Sequence, residues 1–116
     1  ASSGRHTSDA ELRCIELETG EVQWSKPGMG RASMLYVDGH LVCLAEYGEL
    51  YLLEATPEAF RVVDAAVPVD PMPVKGLPPR RLLGYPAWAA PILSPGLLYV
   101  RGKDRLACME LIPPPN

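Results

Sequence analysis

The sequence predicts an all-β fold assembled from short antiparallel strands. Over residues 32–63, apolar runs of four to six residues alternate with turn signals, and Asp38-Gly39 is the sharpest hairpin signal among them. No segment carries a sustained helical period. Related strand segments also recur along the chain, which favours a repeated structural unit.

The bulk composition limits the class of protein. With 116 residues and 47% hydrophobic residues, the chain is ordinary for one globular domain and long enough for its own core. A net charge of −3 without a basic block argues against nucleic-acid binding. No run approaches about 18 apolar residues, so no transmembrane helix is predicted. Three cysteines without a CxxC pair indicate neither a disulfide scaffold nor a thiolate metal site.

The first half of the chain divides into three predicted segments. Residues 1–10 are polar and are predicted to be a mobile lead-in. Residues 11–26 are predicted to form two strands, with Gly20 free to take positive φ in the turn between them. Residues 31–64 are predicted to form a complete four-stranded unit with strands at 34–37, 41–45, 50–55 and 60–63.

The second half opens with a proline-rich segment. Residues 65–87 hold six of the thirteen prolines, and proline removes backbone donors and fixes φ. This predicts an extended surface insertion with polyproline character. Residues 88–112 are predicted to form three further strands, and residues 113–116 a proline-rich tail.

Three six-residue segments align without gaps, each opening on leucine with glutamate at the fifth position: 12–17, 50–55 and 106–111. The first spacing is 38 residues, from Leu12 to Leu50, and the second is 56 because it includes the insertion. A repeat near 40 residues with four short strands is typical of a β-propeller blade. One blade cannot bury both of its faces alone, so neighbouring blades are required.

The first repeat carries a motif that resembles a known family. Thr19-Gly20 followed by Trp24 is similar to the tryptophan docking motif of the pyrroloquinoline-quinone-like (quinoprotein-like) β-propeller repeats, and Asp38-Gly39 resembles the hairpin of that family. The resemblance implies that Trp24 packs between adjacent blades and that Gly20 makes the turn into the outer strand. It also favours a periplasmic or secreted location.

This resemblance covers residues 11–64 and 88–112, about two and a half blades. The second copy departs from the motif, with Thr56-Pro57 and no following tryptophan. Closed propellers need about four to eight blades, so the remaining blades must come from elsewhere. We expect the chain to be the C-terminal part of a larger propeller, whose N-terminus would supply the outer strand missing from the last blade.

No residue of this chain is predicted to be catalytic, cofactor-binding or metal-binding. Cys14 and Cys108 occupy equivalent repeat positions and are interpreted as apolar filler. His6 and His40 are isolated, without a second ligand at metal spacing. The recurring glutamates of the three aligned segments are interpreted as structural.

The tryptophans leave an alternative open. Trp24 and Trp88 are interpreted as inter-blade or core aromatics, and the alternative is an exposed platform for a quinone or a sugar. The resemblance implies that true quinoprotein dehydrogenases carry adjacent cysteines and a calcium-binding set of Glu, Asn and Asp. This chain has no Cys-Cys pair, and its one asparagine is Asn116.

The proline-rich insertion is the most distinctive candidate for binding. Pro78-Pro79-Arg80-Arg81 is interpreted either as a peptide ligand for an aromatic groove or as part of a partner-binding loop at the rim of the ring. We therefore expect a non-catalytic protein-binding or scaffolding module. The alternatives are part of a quinone-dependent alcohol or sugar dehydrogenase, and a structural segment without a site of its own.

Overall fold

The computed structural model describes residues 1–112, apart from the side chain of Ser3, and folds into three antiparallel sheets. The predicted all-β class is confirmed, and no sheet closes on itself. No helix in the described part of the chain is long and apolar enough to cross a membrane. The strands are β1 Ser2–Ser3, β2 Glu11–Ile15, β3 Val22–Pro27, β4 Ala32–Val37, β5 His40–Ala45, β6 Leu50–Glu54, β7 Val62–Ala66, β8 Ile92–Ser94, β9 Leu97–Arg101 and β10 Leu106–Glu110.

The strands pair mostly with their neighbours in sequence. The first sheet has the order β1-β2-β3, the central sheet β4-β5-β6-β7, and the third sheet β10-β9-β8. The β4–β5 hairpin is closed by Asp38 (φ 47°) and Gly39 (φ 76°) between the paired residues Val37 and His40. Two consecutive residues with positive φ are what a two-residue type I′ turn requires, as the sequence predicted.

The N-terminal segment is paired where the sequence predicted a mobile lead-in. Ser2–Ser3 forms a short strand against β2, and the terminal amine of Ala1 donates to the carbonyl of Arg13 at 2.7 Å. A 3₁₀ turn follows at Thr7–Asp9, and Ala10 is buried. This pairing satisfies backbone groups on the outer edge of β2 that would otherwise be open.

The last strand of the central sheet also differs from its prediction, because it runs from Val62 to Ala66 rather than over 60–63. Phe60 leaves the strand and packs against Trp24 of the first sheet, with ring centroids 5.5 Å apart. The β6–β7 register shifts between Leu52 and Leu53, which accommodates this departure.

The inner strands of the central sheet, β5 and β6, are covered on both faces, whereas every residue of β7 is exposed. Successive side chains of a strand point to opposite faces, so alternate residues of β5 serve different neighbours. Cys43 packs with Leu12 of the first sheet, whereas Leu44 packs with Leu98 and Val100 of the third. The three sheets are therefore stacked as layers with two separate apolar seams.

The proline-rich segment is more ordered than an extended surface insertion. The amide of Asp70 donates to the carbonyl of Arg80, and that of Leu82 to Pro68, each at 2.8 Å, so the strand-like pair closes a loop at 71–79. After this loop, Leu83 and Ala87 are fully buried in the seam between the central and third sheets. The predicted tail at 113–116 lies outside the described residues.

Candidate binding surface at the loop edge

Three connections meet at one edge of the stacked sheets, which we call the loop edge. They are the β3–β4 loop at 28–31, the β5–β6 turn at 46–49 and the segment 82–91 that leads into β8. Alternate turns of an antiparallel meander lie at the same edge, so the strand order dictates this meeting. Of the residues that the sequence singled out, Trp88 lies in the last segment, where it is half-exposed rather than a core aromatic, and Arg81 lies just before that segment.

Glu46 is the centre of the loop edge and its side chain is fully buried. Its Oε1 accepts the backbone amide of Arg31 at 3.2 Å. Its Oε2 accepts Nε of Arg31 at 3.2 Å and the indole Nε1 of Trp88 at 2.8 Å. The hydroxyl of Thr7 also bonds to this carboxylate. One side chain thus joins the N-terminal segment, the β3–β4 loop and the segment before β8.

The surroundings of Glu46 keep it ionised. Burial raises the pKa of this carboxyl, but hydrogen bonds from Thr7, Trp88 and Arg31, with the charge of Arg31, outweigh burial and hold the pKa below its ordinary value. A buried carboxylate is tolerated when it is paired and fully hydrogen-bonded. Glu46 therefore acts as a structural anchor, with its oxygens occupied by protein donors.

Three aromatic side chains lie outside this anchor and form what we call the aromatic patch: Tyr47, Tyr85 and Trp88. The rings of Tyr47 and Tyr85 stack at 4.9 Å, and Tyr85 meets Trp88 edge to face at 6.0 Å. Each is between 42% and 49% exposed. The guanidinium of Arg31 lies 4.6 Å from the Trp88 ring centroid, a cation–π contact. These rings are fixed by neighbours yet present half of their area to solvent.

Arg81 attaches the proline-rich segment to the same edge. Its Nη1 donates to the carbonyl of Tyr47 at 2.8 Å and to Oε1 of Glu49 at 2.7 Å. Pro78, Pro79 and Arg80, which the sequence grouped with it as a partner-binding loop, are exposed beyond this anchor. The structure therefore separates the four predicted residues into one anchor, Arg81, and three exposed surface positions.

The β5–β6 turn and the segment before β8 fit closely at Gly48. This residue has φ +90°, and an added Cβ would collide with the backbone carbonyl oxygen of Leu83. The amide of Ala87 donates to the carbonyl of Glu46 at 2.9 Å on the same side. The segment before β8 is therefore held against the β5–β6 turn by backbone contacts.

The predicted motif residues lie elsewhere. Trp24 is half-buried between the first and central sheets, and its Nε1 donates to the carbonyl of Thr56 at 2.9 Å. Thr19 and Gly20 form the β2–β3 turn, where Gly20 has φ +73° and Thr19 Oγ1 accepts the amide of Glu21. A cleft of about 370 Å³ lies beside Trp24 and is mostly apolar.

The cysteines differ in exposure. Cys43 is buried, and burial raises its pKa to about 11. Cys14 is half-buried, whereas Cys108 is exposed, which differs from the expected buried filler because no sheet among the described residues covers that face of β10. Within residues 1–112, no group of three His, Cys, Asp or Glu side chains could hold a metal ion.

Sequence reasoning missed Glu46, Arg31 and the grouping of Tyr47 with Tyr85. The visible signal was a polar step, Glu46-Tyr47-Gly48-Glu49, between two apolar strands. The Asp38-Gly39 hairpin places Arg31 opposite Glu46, one pair beyond Ala32 and Ala45, but no local pattern indicates that Trp88 packs there. Comparison with protein-family models, with curated proteins and with solved structures gave no match for this chain.

Proposed function

We propose that this chain is a non-catalytic β-propeller segment that binds a protein or peptide through its loop edge. The aromatic patch supports the binding role. Tyrosine, tryptophan and arginine are the residue types that most often dominate binding energy at protein interfaces. Here Tyr47, Tyr85 and Trp88 are half-exposed and pre-positioned, with Arg31 beside them. Pre-positioned side chains lose little conformational freedom when a partner binds.

The arrangement of sheets supports the propeller part of the proposal. Each described sheet has apolar residues toward its neighbour, and the inner strands β5 and β6 of the central sheet are covered on both faces. The third sheet has Ile92 and Leu106 64% and 70% exposed, with Cys108 exposed on the same face. A further four-stranded blade of a larger protein would cover the apolar residues of this face, as the central sheet covers the opposite one, while Arg101, the last residue of β9, stays at its solvent-exposed margin.

The binding role can be tested with selected peptides. Peptides would be selected on the immobilised full chain from a random display library, and their affinities measured by calorimetry for the wild type and for a Tyr47→Ala/Tyr85→Ala variant. We expect the double variant to bind at least about tenfold more weakly, a loss typical of interface anchors. Tyr36→Ala is the matched control, because Tyr36 is 66% exposed near the opposite edge.

Two results would overturn the proposal: failure to select any peptide, or equal affinities for the wild type and the double variant. Circular dichroism and thermal unfolding of both variants would show that the folds are intact. Loss of binding in Tyr36→Ala alone would place the binding surface at the other edge.

A further inference from the structure

A groove of about 240 Å³ continues from the aromatic patch towards the third sheet. Trp88 contributes one wall, and the β9–β10 turn contributes the other. The groove is lined by Pro86, Trp88, Ala89, Arg101, Gly102 and Lys103.

The two walls of this groove are fixed to each other. The amide of Lys103 donates to the carbonyl of Gly84 at 3.1 Å, and the amide of Gly102 donates to that of Arg105 at 2.9 Å. Gly102 is buried, and a Cβ there would lie 2.7 Å from the amide nitrogen of Gly84. The groove is therefore a preformed feature of the fold.

The groove carries two cations without ion partners. Arg101 and Lys103 are exposed, and no carboxylate of the described residues lies within 4 Å of either charged group. The neighbouring Asp104 is exposed and forms no ion pair with them. The nearest buried carboxylate at this edge, Glu46, is satisfied by Arg31 and Trp88. The local field therefore favours an anion.

The lining also selects for an apolar group beside that anion. Trp88, Pro86 and Ala89 offer apolar surface, and the only polar side-chain atom of Trp88 is bonded to Glu46. A volume of about 240 Å³ is below the roughly 300–1,000 Å³ of pockets that hold small molecules or cofactors. It is large enough for one or two side chains of an extended polypeptide.

We propose that this groove binds an acidic segment of an extended polypeptide, with a carboxylate at Arg101 and Lys103 and an adjacent apolar or proline side chain on Trp88. This inference rests on the proposed function, because it assigns a chemical class to the partner of the loop edge. A cationic partner is disfavoured, since Arg101 and Lys103 line the groove, whereas Arg31 is already neutralised by Glu46.

The test uses two synthetic peptides of the sequence Pro-Leu-Glu repeated three times, one as written and one with glutamine in place of glutamate. Binding to the full chain would be followed by tryptophan fluorescence and calorimetry at low salt. We expect the glutamate peptide to bind roughly three- to tenfold more tightly, the range that two solvent-exposed charge pairs supply. Added salt should reduce this preference by screening.

An Arg101→Gln/Lys103→Gln variant should bind both peptides with the lower affinity of the glutamine peptide. Lys75→Gln is the control at an exposed position on the insertion loop and should leave the preference unchanged. Equal binding of the two peptides, or no binding of either, would overturn this inference.

The proposed function is judged separately, by the library-selected peptides and the Tyr47→Ala/Tyr85→Ala variant. If that variant loses binding while the glutamate preference is absent, the loop edge binds peptides but not through an acidic side chain. If the library yields no binder, both proposals fall together.

Discussion

The indole Nε1 of Trp88 lies 2.8 Å from Oε2 of Glu46, while the guanidinium of Arg31 lies 4.6 Å from the centroid of the same ring. Arg31 in turn donates to that carboxylate through both its backbone amide and its Nε. The three groups form a closed triangle. A buried charge on the inside thereby fixes the orientation of a half-exposed ring on the outside.

Replacing Glu46 by glutamine should destabilise the fold by about 1–3 kcal/mol at pH 7, because charge-assisted bonds to Arg31 and Trp88 weaken in a buried site. Urea unfolding followed by circular dichroism measures the free energy. Glu18→Gln, at an exposed position in the β2–β3 turn, is the control and should change it by no more than about 0.5 kcal/mol.

The pH dependence of stability should reveal the same carboxylate. The folded-state pKa of Glu46 lies below its ordinary value of 4.5, so its ionisation stabilises the fold above that pH. This contribution is lost as the pH falls through the folded-state pKa. The stability of the wild type should therefore fall more steeply below pH 4.5 than that of Glu46→Gln. Parallel curves for the two proteins would contradict the assignment.

Substitution of Gly48 by alanine should cost about 2 kcal/mol or more, because the added Cβ meets the carbonyl of Leu83 in addition to straining a positive-φ backbone. Gly20→Ala separates the two effects. Its φ is +73°, but an added Cβ has nothing within 4 Å, so only the backbone cost of about 1 kcal/mol is expected. Equal losses of unfolding free energy in the two variants would show that the β5–β6 turn does not contact the segment before β8 as described.

Trp24→Phe should destabilise the contact between the first and central sheets by about 1 kcal/mol, since it removes the hydrogen bond to Thr56 and keeps a ring against Phe60. Trp24→Ala should cost about 2–4 kcal/mol by also removing the packing. Denaturant unfolding compares the two. Gln23→Ala, on the exposed neighbour, should have little effect, and a loss there as large as in Trp24→Ala would contradict the described packing.

The loop at 71–79 should become more mobile when Asp70 is replaced by asparagine. Its carboxylate accepts the amide of Met72 at 2.9 Å and Nη1 of Arg105 at 3.0 Å, and these bonds hold its pKa below the ordinary value. We expect faster tryptic cleavage after the exposed Lys75, followed by mass spectrometry. Asp104→Asn is the control with the same charge change, and cleavage at the wild-type rate in Asp70→Asn would show that this anchor does not restrain the loop.

The thiols should differ in reactivity. Burial raises the pKa of Cys43 to about 11, so only about one molecule in a thousand carries its thiolate at pH 8. Cys108 is exposed and should be alkylated first. Time-resolved labelling with iodoacetamide and peptide mapping would establish the order. Labelling of Cys43 in the native protein as fast as Cys108 would contradict its buried position.

Local features of the sequence were sufficient for most of the strands. The predicted run at 50–55 is β6, Leu50–Glu54, and the Asp38-Gly39 hairpin forms with both residues at positive φ. Strand alternation and turn chemistry involve residues close in sequence, so a single chain displays them. The N-terminal strand at Ser2–Ser3 was missed because it follows from an open edge on β2, not from its own residues.

The candidate site could not be predicted in the same way. The contact between Glu46 and Arg31 extends the β4–β5 register one pair beyond Ala32 and Ala45, so it follows from the predicted hairpin. Trp88 is 42 residues from Glu46, and that contact exists only because the segment before β8 packs on the β5–β6 turn. The aligned leucines show the same dependence on neighbours. Leu12 and Leu50 are buried, but Leu106 at the equivalent position is 70% exposed because the residues that the structure describes cover only the other face of its sheet.

The alternation along β5 has a consequence for how this chain can diverge. Leu41 and Cys43 belong to the apolar seam shared with the first sheet, while Val42 and Leu44 belong to the seam shared with the third sheet and the segment before β8. Substitutions at Leu41 and Cys43 should therefore covary with residues of β2 and β3, and those at Val42 and Leu44 with residues of β9. Each apolar seam can then change independently of the other. A sheet of this stack could then be duplicated or exchanged if its side chains matched one apolar seam at a time.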